Sequence, residues 1–371
     1  MDLQLDEMQV MLRDSARRYI KESHSFERRA KLLGTKGAES IWQDLASLGW
    51  LGLNIPEAAG GVGAGEVETA LIVEELGRGL VTEPYIATAV AATRVLADVS
   101  DQIPFAASKM KEIASGALRV SIALSEPASH FNFFVPAAWA VGSDEGWTVS
   151  GSKRLVLGGA ADAFIVSASV LDQLCLFWVE AGSPALSVRS YSTFDDHRSA
   201  DLTLDRTPAE LIAFGDAAIA VLQRMLDHAT VAICAEAVGC ISGALATTID
   251  YVKVRSQFGK TLAEFQITQH RLGNLFVQAD RARSMLLYGL SALSDPSQAS
   301  FGVSAAKVKI MEVARYVCGE CVHQHGGIGM TSEYPVGHYL RRVLMLEKLL
   351  GDGTTHLRRV MRRWTRRNNG L

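Results

Sequence analysis

The longest helical pattern in the sequence starts near residue 216 and continues for nearly forty residues without a proline. The segment reads AAIAVLQRMLDHATVAICAEAVGCISGALATTIDYVKVR. Proline breaks a helix interior, so its absence over this length predicts one long helix. The alanines and glycines within it favour tight packing against other helices. The C-terminal part of the chain is therefore predicted to consist of long, closely packed helices.

Three domains are predicted from the way the pattern changes along the chain. Residues 1–117 have apolar side chains at helical spacing, which predicts an N-terminal helical domain. Residues 118–215 contain short runs with period-two alternation and turn residues between them, which predicts a middle antiparallel β domain. Residues 216–371 return to long helices. The fold class is thus mainly α with a central antiparallel β domain.

Charge and cysteine content exclude several function classes. The net charge is −3 and the pI is about 6.3, which argues against nucleic acid or an acidic membrane surface as a partner. No apolar run is expected to reach the roughly 18–20 residues of a membrane span. The N-terminus has the pattern of an amphipathic helix and not of a signal peptide. Five cysteines without disulfide-framework spacing predict a reducing, cytoplasmic compartment.

The stretch GDGTT near the C-terminus places Asp352 between two glycines. Such a turn is either an ordinary surface turn or a means of delivering one carboxylate into a pocket. The stretch RSQFGK is similarly open: Arg255 is either a solvated residue at a helix junction or a phosphate ligand. The glycines of HQHGGIGM would let backbone approach a ligand closely, although no dinucleotide fingerprint is present.

The cysteines of CGEC, Cys318 and Cys321, lie near two histidines, but the pattern lacks a second pair of cysteines. Buried helix-packing thiols are therefore expected in place of a zinc or redox site. The arginine-rich C-terminal helix is either a solvated face or a contact for a phosphorylated ligand or acidic partner. Ser125, at the end of a β run in ALSEP, could present hydrogen bonds to a flat heteroaromatic ligand.

Taken together, these stretches resemble the acyl-CoA dehydrogenase family over essentially the whole chain. The most specific matches are RSQFGK…FQITQHRLG and HGGIGMTSEYPVGHYLRR, followed by GDGT. Supporting matches are LGWLGLNIPEAAGGVG, EELGR and ALSEP. Within the family, the sequence is most similar to the small-subunit type, such as the pimeloyl-CoA dehydrogenase small subunit.

The resemblance implies a helical N-terminal domain, a β-barrel-like middle domain and a C-terminal four-helix bundle. It also implies FAD, an acyl-CoA substrate and a reaction in fatty-acid or carboxylic-acid catabolism. In that reaction a carboxylate removes the α proton while the β hydrogen leaves as hydride to flavin N5. The implied assembly is a homo- or hetero-oligomer, a dimer or tetramer, and the implied electron acceptor is electron-transferring flavoprotein.

The family's motifs assign roles to individual residues. Asp352 occupies the position of the catalytic base, which is usually a glutamate in a Glu-Gly-Thr turn. No metal ligand is implied. The match assigns FAD contacts, several of them across a subunit interface, to Leu124, Ser125, Arg255, Gln257, Phe258, His323, Gly326, Gly327 and Thr354.

The sequence also departs from the family's pattern. Aspartate is one methylene shorter than glutamate. Other members carry the base on an earlier helix, where Ala229 stands here, and Glu236 two turns later is a rival base or a packing residue. The family's Gly-Ala-Gly-Ser-Asp is replaced by ASHFN at 128–132. The Trp-x-Thr that covers the flavin is replaced by LVL at 155–157, whose side chains donate no hydrogen bond.

These departures leave three hypotheses. The chain is an acyl-CoA dehydrogenase subunit with Asp352 as base. Alternatively, it is a non-catalytic subunit that completes the FAD site of a partner chain, which the LVL and ASHFN replacements favour. A more remote third hypothesis is an acyl-CoA oxidase-like enzyme, whose reduced flavin would react with oxygen. If Asp352 is the base, closure of an apolar, substrate-filled pocket is expected to raise its pKa.

Overall fold

The computed structural model describes residues 4–33, 38–127, 131–159 and 161–368. Within these ranges the α-helices, in chain order, are α1 Glu7–Ser23, α2 Phe26–Leu32, α3 Ala38–Ser47, α4 Glu66–Arg78, α5 Thr93–Val99, α6 Ala106–Ala114, α7 Gly215–Val254, α8 Gln266–Leu293, α9 Ala299–His325, α10 Pro335–Lys348 and α11 Gly353–Asn368. The strands are β1 Val120–Ala123, β2 Trp139–Ser143, β3 Gly146–Leu157, β4 Ala163–Val170, β5 Gln173–Glu180, β6 Leu186–Ser192, β7 Arg198–Phe214, β8 Ser256–Gln257 and β9 Lys260–Thr261.

The chain divides into two units. The helical unit comprises Met1–Leu32, Ala70–Val81 and Thr230–Leu371, and the sheet unit comprises Leu33–Thr69 and Thr82–Ala229. The long helix α7 starts in the sheet unit and continues into the helical unit. The predicted domain boundaries at 117/118 and 215/216 lie close to the start of β1 and the end of β7, and they stay predictions.

The predicted long helix is confirmed by α7, which has 40 residues. The structure corrects one expectation here, because an 18-residue window of α7 has a mean hydropathy of 1.7 and is apolar enough to cross a membrane. That window is 89% buried inside the protein. Burial of this kind is typical of a core helix, and hydropathy alone is weak support for a membrane span.

Glycines allow α7 to cross α4 at very short range. A Cβ added at Gly239 would lie 1.9 Å from the carbonyl oxygen of Glu74, and one added at Gly77 would lie 2.3 Å from the carbonyl oxygen of Glu236. The Cys240 thiol lies 3.5 Å from the carbonyl oxygen of Gly77 at the same crossing. The predicted tight packing of α7 thus requires glycine at two positions, one on α7 and one on α4.

The helical unit is built around α9, whose apolar residues recur at helical spacing and are buried. The helix then ends at His325, and Gly326 follows with φ 64°. Pro335 opens α10, where its missing backbone N–H costs no helical hydrogen bond. The buried apolar set of α9 includes Val303, Ala306, Ile310, Val313, Val317, Cys318 and Cys321.

The middle domain is a sheet that curls into a ring. Strand β3 pairs with β2 and β7, β7 pairs with β5, and β5 pairs with β4. A single pairing of Trp139 with Ser169 joins β2 to β4 and completes the ring. Side chains including Val149, Phe164 and Phe177 fill its interior. The predicted β-barrel-like domain is therefore confirmed.

The structure differs from the sequence prediction in strand direction. Strands β1 and β2 both pair with β4 in parallel, so the sheet is mixed and not purely antiparallel. The chain reaches β4 from β1 only after the β2–β3 hairpin, and such a long connection permits parallel pairing. Strand β3 continues through SGSK with a bulge at Gly151, where φ is 143°.

We expect Gly239→Ala to destabilise the protein by about 3 kcal/mol, because the new methyl group would overlap the backbone of α4. The urea midpoint of unfolding measures this change. The control is Gly319→Ala on α9, where an added Cβ meets no atom within 4 Å and alanine favours the helix. Equal midpoints for the two variants would contradict the proposed close crossing.

Candidate active site

Asp352 lies in the sharp bend between α10 and α11. Leu350 has φ 56° and Gly351 has φ 112°, so two consecutive residues adopt conformations that most side chains avoid. The bend directs the chain into α11 immediately after Asp352. The Asp352 side chain is half-buried. The Gly-Asp-Gly stretch is therefore a defined bend at a helix start.

The carboxylate of Asp352 caps α11. Its Oδ1 accepts hydrogen bonds from the backbone N–H of Thr355 at 2.9 Å and from the Thr355 hydroxyl at 2.8 Å. The backbone hydrogen bond, followed by the hydroxyl, lowers the pKa of Asp352. A raised pKa was expected for a closed, substrate-filled pocket. In this structure the pKa moves the other way, because hydrogen bonds stabilise the charged form of a half-exposed carboxylate.

The rival base Glu236 is held in a buried ion pair. Its two carboxylate oxygens lie 2.5 and 2.8 Å from Nε and Nη2 of Arg342, and both side chains are buried. A bidentate contact of this type commits both oxygens. Ala229, at the other family position for a base, is buried in α7 and carries no ionisable group. The geometry thus favours Asp352, whose Oδ2 makes no hydrogen bond to the described residues.

Residues 255–258 form an exposed turn after α7. The carbonyl oxygen of Arg255 accepts a hydrogen bond from the backbone N–H of Leu262, which closes the β8–β9 hairpin region. The Arg255 guanidinium is exposed and has no partner among the described residues. Gln257 is exposed, and Phe258 is 92% exposed with φ 53°. This turn presents a cation, an amide and an aromatic ring to the outside of the chain.

The end of α9 lies beside the end of α7. The His325 ring stacks on Tyr251 with centroids 4.3 Å apart, and the Tyr251 hydroxyl lies 3.4 Å from the His325 carbonyl oxygen. His323, two residues earlier, is exposed. Gly326 and Gly327 are exposed too, and a Cβ added at either would meet nothing within 4 Å. The two turns assigned to FAD are thus neighbours within the helical unit.

Asp352 and Thr354 belong to a different part of the helical unit from this pair of turns. The bend at 349–351 contacts α9 at Lys307, which precedes His323 by 16 residues. At a rise of 1.5 Å per residue, those positions are about 24 Å apart along the helix. Thr354 is exposed in the first turn of α11. The structure therefore separates Thr354 from the other C-terminal residues assigned to FAD.

Leu124 and Ser125 follow β1 in the sheet unit. Leu124 is buried, Ser125 is half-buried, and the Ser125 carbonyl oxygen accepts a hydrogen bond from the backbone N–H of Arg154 at 2.8 Å. Within the LVL stretch, Leu155 has φ 51° and the carbonyl oxygen of Leu157 is taken by the Ser121 hydroxyl. The side chains of this stretch offer no hydrogen-bond donor. Residues 128–130 of ASHFN lie outside the described residues.

A buried ion pair fixes the loop that carries Ser125. The ammonium of Lys153 lies 2.6 Å from Oε1 of Glu126. Oε1 also accepts a hydrogen bond from the backbone N–H of Ala138, and Oε2 accepts one from that of Ala137. Burial lowers the pKa of Lys153 to about 8 against the attraction of Glu126. Burial alone would raise the pKa of Glu126, but Lys153 and these N–H groups bring it below its usual value.

Three buried charged residues, Lys153, Glu126 and Lys307, were not predicted from the sequence. The available sequence signals were weak. Glu126 lies next to Ser125 in SEP, and Lys153 is a single basic residue in GSK. Cys318 and Cys321 are buried in α9, as predicted, and burial raises the pKa of Cys321 to about 11. Among the described residues, no group of three or more His, Cys, Asp or Glu could hold a metal ion.

These residues fit FAD unevenly. The exposed Arg255 guanidinium and the open backbone of Gly326 and Gly327 suit a phosphate-bearing group. Around Ser125 the fit is weaker, since only backbone groups and one hydroxyl are available near the LVL stretch. The FAD contacts assigned to these residues stay predictions: those at Arg255, Gly326 and Gly327 lie on exposed groups, whereas the LVL stretch offers no side-chain donor.

The sequence is similar to acyl-CoA dehydrogenases over most of its length. Residues 6–102 match the family model for the acyl-CoA dehydrogenase N-terminal domain, and residues 219–365 match that for the C-terminal domain. The short-chain-specific acyl-CoA dehydrogenase of Megasphaera elsdenii is 28% identical over 365 residues, covering 90% of this chain and 94% of that protein.

Solved structures extend the similarity to the fold. A variant of the Tcur3481-Tcur3483 steroid ACAD is 31% identical with a TM-score of 0.86, over 95% of this chain and 96% of that one. The ChsE4-ChsE5 complex from Mycobacterium tuberculosis has a TM-score of 0.89 at 24% identity, over 98% of this chain and 99% of that one.

We expect Lys153→Met to destabilise the protein by about 3–5 kcal/mol, because it leaves the Glu126 carboxylate buried without its cation. The double variant Lys153→Met/Glu126→Gln removes that charge and should recover part of the loss. Thermal unfolding of the three proteins measures both effects. If Lys153→Met is no less stable than the double variant, the unpaired Glu126 carboxylate is not the cause of the destabilisation.

Proposed function

The chain belongs to the acyl-CoA dehydrogenase family, and from this premise we propose that it desaturates an acyl-CoA thioester with Asp352 as the base. The observation that carries the proposal is the carboxylate of Asp352 on the bend before α11, with Oδ1 fixed by Thr355 and Oδ2 open. The family is FAD-dependent. When bound, FAD accepts the β hydrogen of the substrate as hydride.

The proton step falls to Asp352. Thr355 holds Oδ1, so the direction of the carboxylate is set before the substrate arrives. Oδ2 is then the atom that takes the α proton of the thioester. The pKa of Asp352 is lowered in the ligand-free protein, and an acyl chain that displaces water from it would raise that pKa by desolvation. Base strength would therefore develop only on substrate binding.

A second candidate function is a non-catalytic subunit that completes the FAD site of a partner chain. Two observations favour it. Residues 255–258, His323, Gly326 and Gly327 are exposed on the helical unit, and the LVL stretch lacks side-chain donors. The name of the ChsE4-ChsE5 complex records an assembly of two chains in a protein of the same fold. In this arrangement Asp352 would be dispensable, whereas Arg255 would be required.

An oligomer is part of both candidates. Large apolar side chains are exposed on α8 and beside the turn before it, including Phe258, Ile267, Phe276 and Val277. Exposed apolar surface of this kind is usually covered by another chain. We therefore propose a homo- or hetero-oligomer, with electron-transferring flavoprotein as the electron acceptor. A cytoplasmic location is proposed from the five buried, unpaired cysteines.

We expect Asp352→Asn to lower kcat by at least about 10²-fold, because removal of a general base typically costs that much or more. FAD content, read from the visible spectrum, should be unchanged. Asp352→Glu keeps a carboxylate and should retain measurable turnover, and Glu312→Gln on the exposed face of α9 serves as a neutral control. Full activity of Asp352→Asn would reject the base and favour the non-catalytic subunit.

We expect Arg255→Ala to lower the fraction of FAD retained by the purified oligomer. The exposed Arg255 guanidinium has no partner among the described residues, so it is available to bind a phosphate. The ratio of flavin to protein absorbance after gel filtration measures retention, and light scattering gives the assembly. Arg206→Ala, which removes an exposed arginine on β7, is the matched control. Equal FAD occupancy in the two variants would assign Arg255 to the turn alone.

A further inference from the structure

Lys307 is a buried lysine that contacts the bend in front of Asp352. Its side chain projects from α9 and is 1% exposed. The ammonium donates to the carbonyl oxygen of Gly351 at 2.8 Å and also to that of Leu349. These oxygens belong to the two residues on either side of Leu350. The lysine therefore binds the bend through backbone atoms, independently of which side chains the bend carries.

The bend needs such a partner. Helix α10 ends at Lys348, and the following residues leave helical geometry, so their carbonyl oxygens have no place in a helical hydrogen-bond ladder. Because Leu349 and Gly351 are buried, water cannot donate a hydrogen bond to their carbonyl oxygens. Leu350 has a positive φ that is unfavourable for a leucine, and such a conformation persists only when the surroundings fix it.

A second contact from α9 holds the other side of Asp352. Ser304, one helical turn before Lys307, lies 3.1 Å through its hydroxyl from Nδ1 of His356, and both residues are fully buried. His356 is in the first turn of α11 and packs against Gly351, where an added Cβ would lie 3.2 Å from the His356 Nε2. Helix α9 thus contacts the chain before and after the carboxylate.

A buried ammonium is an expensive choice for a purely structural contact. Burial lowers the pKa of Lys307 to about 7, which reflects the cost of desolvating its charge. Apolar residues fill such positions at lower cost unless the charge has a task. A task is available here, because Asp352 has a short side chain, so the position of its carboxylate follows the backbone of the bend closely.

We propose that Lys307 is a positioning residue for Asp352: by holding the carbonyl oxygens of Leu349 and Gly351, it fixes the bend that sets the position of the carboxylate. The Ser304–His356 contact supports the same bend from α11. This inference rests on the proposed function of Asp352 as base. Lys307 itself does not touch substrate, and it acts on the proton-transfer step through the backbone.

Lys307→Met in the FAD-loaded enzyme tests the proposal. It keeps the length and apolar stem of the side chain and removes the donor. We expect kcat to fall by about 10- to 100-fold, because a small displacement of a reacting group has effects of that size, while KM stays within about threefold. Backbone amides at 349–357 should exchange faster in hydrogen–deuterium exchange mass spectrometry. Flavin content should not change.

The matched control is Lys309→Met on the same helix, whose ammonium is partly exposed and lies 2.8 Å from Glu312. It should leave both readouts at wild-type values. If Lys307→Met fails to fold, Ser304→Ala carries the test, since it removes the second contact without touching a buried charge. It should accelerate exchange at 349–357 and lower kcat severalfold.

The outcomes separate this inference from the proposed function. If Asp352→Asn is inactive while Lys307→Met has wild-type kcat and wild-type exchange at 349–357, the positioning role is overturned and Asp352 remains the base. If Asp352→Asn keeps full turnover, the base assignment fails first and the positioning role fails with it. A loss of kcat accompanied by an equal rise in KM or by flavin loss would also reject positioning, since it would indicate general damage to the site.

Discussion

The burial of α9 is the constraint on which the candidate site depends. Polar side chains on a buried helix must find partners inside the protein. Lys307 and Ser304 find them in the bend before α11 and in His356. Near the other end, the His325 ring is 2.7 Å from the carbonyl oxygen of Cys321 and stacks on Tyr251. Helix α9 thereby contacts both groups of candidate site residues in the helical unit.

Much of the fold was predictable because helical periodicity is a local signal. The nearly forty residues without proline predicted α7 almost in full, since a helix of that length is marked by its own sequence. No comparable local pattern in the sequence indicates whether a strand pairs in parallel or antiparallel. Side chains alternate between the two faces of a strand whether it pairs in parallel or antiparallel, so the parallel pairing of β1 with β4 could be seen only in three dimensions. The regrouping of α4 with the later helices is also a tertiary effect.

Some residues of the candidate site could likewise be predicted from the sequence, and others could not. Asp352 and Arg255 were found because each lies in a short, distinctive motif. Lys307 was not, because a lysine in VSAAKVK is indistinguishable by pattern from Lys309, which is partly exposed two residues later. Glu236 remained ambiguous in the sequence because its partner, Arg342, is 106 residues away. Pairing partners at such distances leave no trace in a single sequence.

As the proposed base, Asp352 would combine two tasks, capping α11 and removing a proton, that a glutamate would perform less well together. Aspartate is among the best N-cap residues because its short side chain reaches the backbone N–H at the third helical position, here that of Thr355. A longer side chain reaches further into a pocket but loses this fit. The carboxylate of Asp352 therefore extends less far than that of a glutamate, but its direction is fixed by Thr355. Its position then has to come from the backbone, and the contacts of α9 with residues 349–356 are where the structure supplies it.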